Sequence, residues 1–358
     1  MIIIALVLVA GAMCAQSGKK YVFTEASELN LIGKIHKDTP NPYHRVDTVR
    51  YKGFSPGENR QVRCPAGMAV LFKTNSTTIS VKTEYGWQHE MTTTMPLAYR
   101  GYDLYIKDNN QWRWAAANTS THKNPDSNVV LISNMDDKVK ECMLYLPIYS
   151  EVYSVKIGIQ EGATIEALES PFRYRIGIFG SSFTHGISTS RPGMSYPMQL
   201  MRWTGLQFLS LGCSGNCKMQ PYFADVLCDA EVDALIFDSF SNPLAPMIEE
   251  RLFPFIEKIQ AAHPDIPLIF QQTIDRERSN FDLAMRDRER VKREKAAELM
   301  RIACKKYKNV YFIETTDAAD ELEETSVDGT HPGDYGYTLW AKSIEKPLLK
   351  ILKKYGIR

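Results

Sequence analysis

A change in hydrophobic pattern near residue 170 constrains the fold of this chain more than any other feature of its sequence. Before that point, short runs of β-branched and aromatic residues alternate with turn residues, and several short strands at such spacing are typical of a β-sandwich or jelly roll. The runs on either side of Asp108-Asn109-Asn110 predict a hairpin. The predicted strands are Met68–Lys73, Thr78–Thr83, Gly101–Lys107, Gln111–Ala116, Val129–Ile132 and Val152–Ile159.

After residue 170, apolar strands alternate with amphipathic helices, a pattern that predicts a parallel sheet covered by helices. The predicted strands are Ile176–Phe179, Phe208–Leu211, Ala234–Asp238, Leu268–Gln271 and Val310–Ile313. The predicted helices are Tyr196–Trp203, Ile248–Ala262, Arg288–Tyr307 and Gly336–Lys354.

The length of the chain also favours two domains, because 358 residues exceed what one hydrophobic core usually fills. Ser170-Pro171 ends the β-rich half. We therefore predict a β-sandwich domain over residues 20–168 and an α/β domain over residues 172–358.

Residues 1–15 are predicted to be an export signal. Ile2 to Met13 is almost continuously apolar but too short for a membrane span, and Ala15 offers a small residue for cleavage. A buried N-terminal strand is the alternative. Lipid attachment to Cys14 is not expected, because Met13 stands where a lipoprotein signal needs a small residue. The expected location is periplasmic or secreted.

Composition excludes several classes of function. The chain carries 43 basic and 42 acidic side chains, so no basic excess points to nucleic acid or an anionic membrane as a partner. None of the seven cysteines forms a pair at zinc-ligand spacing, and removal of the signal would leave an even number of them. We expect no metal and no cofactor.

Two motifs in the second half carry chemistry. Ser182 lies in Gly180-Ser181-Ser182 directly after the first predicted strand, where open α/β folds place their sites. Asp328-Gly329-Thr330-His331 sets a carboxylate three residues before an imidazole, so that one turn can aim Asp328 at Nδ1 of His331 and leave Nε2 free. Taken alone, each motif has an ordinary alternative, a tight turn for the first and a helix cap or surface turn for the second.

Two further loops follow the second and third predicted strands. Gly215 can direct a backbone N–H outward, and Asn242 can supply a side-chain amide. Such donors suit an oxyanion hole, because they stabilise a developing negative charge without acting as acid or base. Taken alone, Gly215 is only a turn residue and Asn242 only a strand cap. The four pieces are informative together, because all are expected at one edge of the sheet.

The sequence here resembles the SGNH, or GDSL-type, hydrolase superfamily. Its four letters correspond to Ser182, Gly215, Asn242 and His331, with Asp328 as the acidic partner. The resemblance covers about residue 175 to the C-terminus and implies a flavodoxin-like three-layer fold. It implies that Ser182 attacks an ester carbonyl, that His331 is the general base oriented by Asp328, and that Gly215, Asn242 and the N–H of Ser182 form the oxyanion hole.

A second motif fits a companion module. Gly101-Tyr102-Asp103-Leu104-Tyr105 matches the GxDLY signature of an N-terminal β-domain found in an acetylhydrolase-like bacterial subgroup of that superfamily. Four positions depart from the general pattern. Ser181 replaces the Asp of Gly-Asp-Ser, Ser210 stands where the second block often has Asn, and Phe240 and Pro243 replace the Gly and Asp around Asn242. None of these changes removes a catalytic atom.

Other residues admit both a functional and a structural interpretation. His185 and Arg191 are candidate substrate contacts. The structural alternative for His185 is a partly exposed turn residue, and the alternative for Arg191 is an arginine that braces the active-site loop. The charged run over residues 275–295 is interpreted as a solvated helix and an insertion near a lid. Trp87, Trp112 and Trp114 suit sugar stacking, but packing within the β-domain is the default.

The resemblance implies a serine esterase that removes acetyl or other short acyl groups from a hydroxylated, carbohydrate-like substrate. The expected partner is therefore a small-molecule or glycan ester. An acyltransferase with the same residues is one alternative. A non-catalytic glycan-binding protein is another, against which the intact set of Ser182, Asp328 and His331 argues.

Overall fold

The computed structural model describes residues 20–314 and 316–358. Its first half contains the strands and two short helices, α1 (Pro56–Val62) and α2 (Pro96–Tyr99). In chain order the strands β1 to β10 are Tyr21–Glu25, Asn30–Ile32, Ala69–Thr74, Ile79–Gln88, Tyr102–Asp108, Gln111–Asn118, Val129–Ile132, Lys140–Tyr145, Ser150–Gln160 and Ile165–Ala167. The predicted export signal, residues 1–15, lies outside the described residues.

These strands form two antiparallel sheets that pack face to face. One sheet has the order β1-β9-β4-β7, and the other has the order β10-β3-β8-β5-β6 with β2 beside β3. Apolar residues of β3, β5 and β8 meet those of β4 and β9 in one buried cluster. The prediction of an all-β sandwich is confirmed.

The inner strands of the second sheet, β3 and β8, are buried on both faces. In β3, Val70 and Phe72 point into the sandwich, whereas Ala69 and Leu71 belong to a cluster shared with the second half of the chain. Met143 and Tyr145 of β8 also join that shared cluster, where they meet Met198 and Met201. Because successive residues of a strand point to opposite faces, four consecutive residues in each of these strands are apolar rather than alternating, Ala69 to Phe72 in β3 and Cys142 to Tyr145 in β8. The two halves therefore share a hydrophobic core.

The predicted hairpin is formed by β5 and β6. Asp108 pairs with Gln111, so the connection is the two residues Asn109 and Asn110. Both have positive φ, 48° and 62°, the conformation of a type I′ turn, which asparagine tolerates better than most residues.

The second half contains a five-stranded parallel sheet. Its strands β11 to β15 are Arg175–Gly180, Gln207–Gly212, Ala234–Asp238, Leu268–Gln271 and Val310–Ile313, in the order β12-β11-β13-β14-β15. Counted from the first strand, this is the 2-1-3-4-5 order of flavodoxin-like folds. The predicted flavodoxin-like fold is confirmed.

Helices cover both faces of this sheet. The helices α3 to α8 are Ser182–His185, Tyr196–Thr204, Pro221–Cys228, Ala245–Ala262, Leu283–Lys306 and Asp334–Leu352. Residues of α4 and α8 pack against one face, and residues of α5, α6 and α7 pack against the other. The result is a three-layer α/β/α arrangement whose strand ends converge on one edge.

Two further observations concern the described residues as a set. None of their helices is long and apolar enough to cross a membrane. Their cysteines all carry free thiols: Cys64, Cys142, Cys213, Cys217, Cys228 and Cys304.

Candidate active site

Ser182 is the first residue of α3, directly after the turn that ends β11. The hydroxyl of Ser181 accepts a hydrogen bond from the backbone N–H of Phe183 and so caps this short helix. Gly180 is required by a close approach, since a Cβ there would lie 1.9 Å from Oγ1 of Thr184. The turn holds Ser182 at the carboxyl edge of the sheet with 5% of its surface exposed.

His331 lies beside Ser182 although 149 residues separate them. Its Nε2 is 2.9 Å from Oγ of Ser182, and its Nδ1 is 2.8 Å from Oδ2 of Asp328. The ring of Phe183 meets the imidazole edge-on, with centroids 5.7 Å apart. When the proton sits on Nδ1 and is donated to Asp328, Nε2 can accept the hydroxyl proton of Ser182.

The carboxylate of Asp328 also holds the backbone of its own turn. Its Oδ1 accepts hydrogen bonds from the N–H groups of Thr330, at 2.9 Å, and His331, at 2.7 Å. Partial burial raises the pKa of Asp328, but the hydrogen bonds from the His331 ring and from these backbone groups outweigh it and hold the pKa below its usual value. Asp328 therefore stays ionised at neutral pH.

The turn that carries Asp328 and His331 is closed at its base. Val327 donates its N–H to the carbonyl of His331 at 2.8 Å, and Gly333 donates to the carbonyl of Thr325 at 2.8 Å. The carboxylate of Glu277 accepts the N–H groups of Thr325 and Ser326, at 2.7 and 2.9 Å. The charged run thus contributes a clamp that fixes the position of His331.

Gly215 and Asn242 follow the two strands on either side of β11. Gly215 has a φ of +72°, which suits glycine, and lies exposed in its loop. Asn242 Oδ1 accepts the N–H of Cys217 at 3.1 Å, which joins the two loops and fixes the orientation of the amide. Within the described chain, no residue accepts a hydrogen bond from the Gly215 N–H or from Nδ2 of Asn242.

Asp238, the last residue of β13, supports the turn that precedes Ser182. Its Oδ2 accepts hydrogen bonds from the hydroxyl of Ser181, at 2.8 Å, from the Ser181 N–H, at 3.1 Å, and from Thr184, at 3.0 Å. Its Oδ1 accepts the hydroxyl of Ser241 at 3.3 Å. Asp238 has no exposed surface, and burial raises its pKa to about 6 in spite of these hydrogen bonds. It connects the turn before Ser182 to the turn before Asn242.

The interpretation of His185 as a substrate contact does not fit the structure, nor does that of an exposed turn residue. His185 is 1% exposed, its Nε2 lies 2.7 Å from the carbonyl of Ile148, and its ring packs against Tyr149 with centroids 4.7 Å apart. The α3 turn faces the sandwich on this side, so the imidazole is enclosed between the two halves of the chain.

Arg191 braces a loop, as the second interpretation proposed. Its Nε lies 3.3 Å from Oδ2 of Asp103, and its Nη1 lies 3.8 Å from Oδ2 of Asp334, the first residue of α8. The guanidinium also covers the ring of Trp114, 5.1 Å from the centroid. Arg191 therefore links the sandwich to the helix that begins three residues after His331.

Asp103, the aspartate of the GxDLY signature, is the buried end of this link. It has no exposed surface, and it accepts hydrogen bonds from the N–H of Gly193 and from Nε1 of Trp114, both at 3.0 Å. A Cβ at Gly193 would lie 2.7 Å from the Asp103 carboxylate. The signature of the first half thus holds the loop that follows α3. Trp114 is committed to this contact through its ring nitrogen, although 55% of its surface is exposed.

The interpretation of the charged run as a solvated helix was wrong for part of α7. Glu289 and Lys292 are buried, at 6% and 2% exposure, and lie on the same face as Ala296, Met300 and Ala303. That spacing of three and four residues was readable in the sequence as one buried helix face. The density of charges around it concealed the pattern.

Comparisons with known proteins match both halves of the chain to known families. Residues 20–165 match the GxDLY family, described as "N-terminus of Esterase_SGNH_hydro-type", and residues 173–349 match the "GDSL-like Lipase/Acylhydrolase family". A candidate GDSL-like lipase from Bacteroides ovatus is 37% identical, with a TM-score of 0.90 over 93% of this chain and 98% of its own. The chain belongs to the GDSL-like lipase/acylhydrolase family.

Other solved structures share the fold of this GDSL-like protein at lower identity. The salicylyl-acyltransferase SsfX3, from a tetracycline biosynthetic pathway, is 18% identical with a TM-score of 0.69, over 94% of this chain and 99% of its own. A family two carbohydrate esterase from Cellvibrio japonicus is 11% identical with a TM-score of 0.56, over 94% and 99%. Among curated proteins, none matches the chain at a significant level.

The family supports an esterase-type hydrolase in general terms. In the part of this GDSL-like protein that the structure describes, no group of three or more His, Cys, Asp or Glu side chains is arranged to hold a metal ion.

Proposed function

We propose that this protein is a serine esterase that hydrolyses acetyl or other short acyl esters of hydroxylated, carbohydrate-like alcohols. Ser182 is the nucleophile, His331 the general base and then the general acid, and Asp328 the residue that orients the imidazole. The contact that carries the proposal is the continuous hydrogen-bonded chain from Oγ of Ser182 through both ring nitrogens of His331 to Asp328.

The reaction follows from these positions in two halves. Oγ of Ser182 attacks the ester carbonyl while Nε2 of His331 takes the hydroxyl proton. The tetrahedral intermediate collapses as His331 returns that proton to the departing alcohol, which leaves an acyl group on Ser182. Water, deprotonated by His331, then releases the acid and restores the serine.

The oxyanion formed in both halves needs donors that are already in place. We assign them to the backbone N–H groups of Ser182 and Gly215 and to Nδ2 of Asn242. Support comes from the uncommitted state of the last two donors and from the hydrogen bond that fixes the Asn242 amide. Such preorganised donors lower the barrier because they require no rearrangement as the charge develops.

The carbohydrate part of the proposal is supported by the family two carbohydrate esterase, which shares both halves of the chain. The acyltransferase SsfX3 also matches both halves of the chain, so the second acceptor of the acyl group to test is an alcohol in place of water.

The experiment that tests the proposal measures acetate released, by mass, from a panel of acetylated glycans and from an aryl acetate. The wild-type protein should release acetate, and Ser182→Ala should not. A parallel reaction with an added sugar alcohol separates hydrolysis from transfer, because a transferase would form the new ester in place of free acetate. Equal release by wild type and Ser182→Ala would contradict the proposal.

A further inference from the structure

A buried charged cluster lies directly behind Asn242. The backbone carbonyl of Ser241 accepts two hydrogen bonds from cations, from Nζ of Lys292 and from Nη2 of Arg276, both at 3.0 Å. Glu289 forms an ion pair with Lys292 and lies 3.5 Å from Nε of Arg276. The two cations therefore share the Glu289 carboxylate, and both bind the carbonyl of Ser241. That carbonyl belongs to the same peptide unit as the backbone nitrogen of Asn242.

The hydroxyl of Ser241 is held as firmly as its carbonyl. Oγ lies 2.6 Å from Oγ1 of Thr273 and 3.3 Å from Oδ1 of Asp238. The next residue but one, Pro243, has a fixed φ and no N–H. With the amide of Asn242 tied to Cys217, the backbone and the side chain of Asn242 are fixed by separate anchors.

Lys292 is a buried cation that a carboxylate balances. Its side chain is 2% exposed, and a buried ammonium is expensive unless a carboxylate balances it. The charged groups that face it are Glu289 and Arg288 of its own helix and Arg276 of the segment after β14. Burial, together with repulsion from Arg276, lowers the pKa of Lys292 to about 8.

We propose that Lys292 and Arg276 are positioning residues of the oxyanion hole, which fix the Ser241–Asn242 peptide and place two cations behind the Asn242 donor. The inference rests on the proposed function, in which Asn242 Nδ2 contacts the oxyanion. Lys292 touches neither substrate nor reacting atoms. It acts through the carbonyl of Ser241, so its loss should slow the chemical steps more than it weakens substrate binding.

The test compares Lys292→Met, Lys292→Arg and the wild type with one aryl acetate, over a pH series that extends above 8. Lys292→Met should lower kcat by about tenfold, less than the ~10²–10³ that removal of an oxyanion-hole donor costs, with little change in KM. Wild-type kcat should decline as Lys292 loses its proton near pH 8. Lys292→Arg should keep its kcat through that range, because a guanidinium remains charged.

Lys295→Met is the matched control, since Lys295 lies on the same helix but pairs with Glu298 and Glu249 at the surface. It should behave as the wild type. A wild-type kcat in Lys292→Met, or the same decline near pH 8 in Lys292→Arg, would overturn the inference. If Lys292→Met fails to fold, the pH series of Lys292→Arg still decides.

Ser182→Ala is measured in the same series to separate the two proposals. If Ser182→Ala is inactive and Lys292→Met is fully active, only the role of Lys292 is wrong. If Ser182→Ala is active, the proposed function itself fails.

Discussion

The hydroxyl of Ser181 donates a 2.8 Å hydrogen bond to Oδ2 of Asp238, which is paired in register with Gly180 on the neighbouring strand. The family motif Gly-Asp-Ser has a carboxylate at position 181, and here the carboxylate comes from Asp238 instead. Ser181 still caps the helix that begins with Ser182. The departure from the motif therefore leaves the turn before Ser182 supported, by the hydrogen bonds of Ser181 and Thr184 to the Asp238 carboxylate.

Restoring the motif should harm this protein. Ser181→Ala loses the cap and the hydrogen bond to Asp238, and should lower the free energy of unfolding by about 1–2 kcal/mol. Ser181→Asp should lower it further, because two carboxylates would then face each other in a buried site. The double variant Ser181→Asp/Asp238→Ser should recover part of the loss. Urea denaturation of these variants and of Asp238→Ser measures the coupling, and additive losses in the double variant would show that residues 181 and 238 do not interact.

The link between Asp103 and Arg191 yields a second prediction. Arg191→Met removes the cation that pairs with the buried Asp103 carboxylate, leaves Arg202 as a second positive charge acting on it, and should cost about 3 kcal/mol of unfolding free energy. Adding Asp103→Asn to that variant should recover part of the cost, because the unpaired charge is removed. Chemical denaturation of the two single variants and the double variant tests this. A double variant as unstable as the sum of the single variants would contradict the link.

Asp103 also predicts a pH dependence of stability. Burial raises the pKa of this carboxyl to about 6, despite Arg191 and the hydrogen bonds from Gly193 and Trp114. The value in an unfolded chain is about 3.9, so between pH 4 and 6 the folded state holds a proton that the unfolded state releases. The contribution of Asp103 to stability is therefore greatest below about pH 4 and falls as pH rises to about 6.

The measurement is the difference in unfolding free energy between wild type and Asp103→Asn at each pH. The unfolding free energy of the wild type should fall relative to that of Asp103→Asn from pH 4 to 6, and the difference should then level off. Asp108→Asn, at the exposed end of the same strand, is the control for an Asp-to-Asn change. A difference that does not change with pH would show that Asp103 does not bind its proton in this range.

Replacing Asp328 with alanine should lower the activity less than replacing it with asparagine. Its two oxygens accept three N–H groups, whereas the side-chain amide of the Asp328→Asn variant would offer one acceptor oxygen and an NH₂ group. If that NH₂ faces Nδ1 of His331, the ring proton moves to Nε2 and His331 can no longer accept the Ser182 proton. We expect kcat to fall by about 10²–10⁴ in Asp328→Asn and by less in Asp328→Ala. Steady-state kinetics on an aryl acetate decide, and the reverse order would show that the tautomer is not what Asp328 controls.

Much of the fold was readable from local pattern. The parallel strands are short, apolar and separated by amphipathic helices, so their existence followed from the sequence pattern, whereas their flavodoxin-like order was implied only by the family resemblance. Lys140–Tyr145 was not predicted, although it lies at the centre of the second sheet. Its first two residues are charged, and the remaining four are apolar on both faces because each face meets a different core.

The candidate site was less evenly predictable. Ser182, Asp328 and His331 stand in short motifs whose spacing expresses the geometry directly. Asp238, Arg276 and Lys292 act through contacts between distant segments, and no local spacing encodes such contacts. His185 was misjudged for the same reason, because its burial depends on Ile148 and Tyr149 of the sandwich.

The acyl group on Ser182 is the most direct test of the account. The protein is mixed with an aryl acetate, quenched with acid during turnover, digested, and examined by mass spectrometry. We predict one added acetyl group on the peptide that contains Ser182, no acetyl group in Ser182→Ala, and a loss of activity in that variant of about a thousandfold or more. Acetylation at another residue, or near-wild-type turnover by Ser182→Ala, would contradict the claim that Ser182 is the nucleophile.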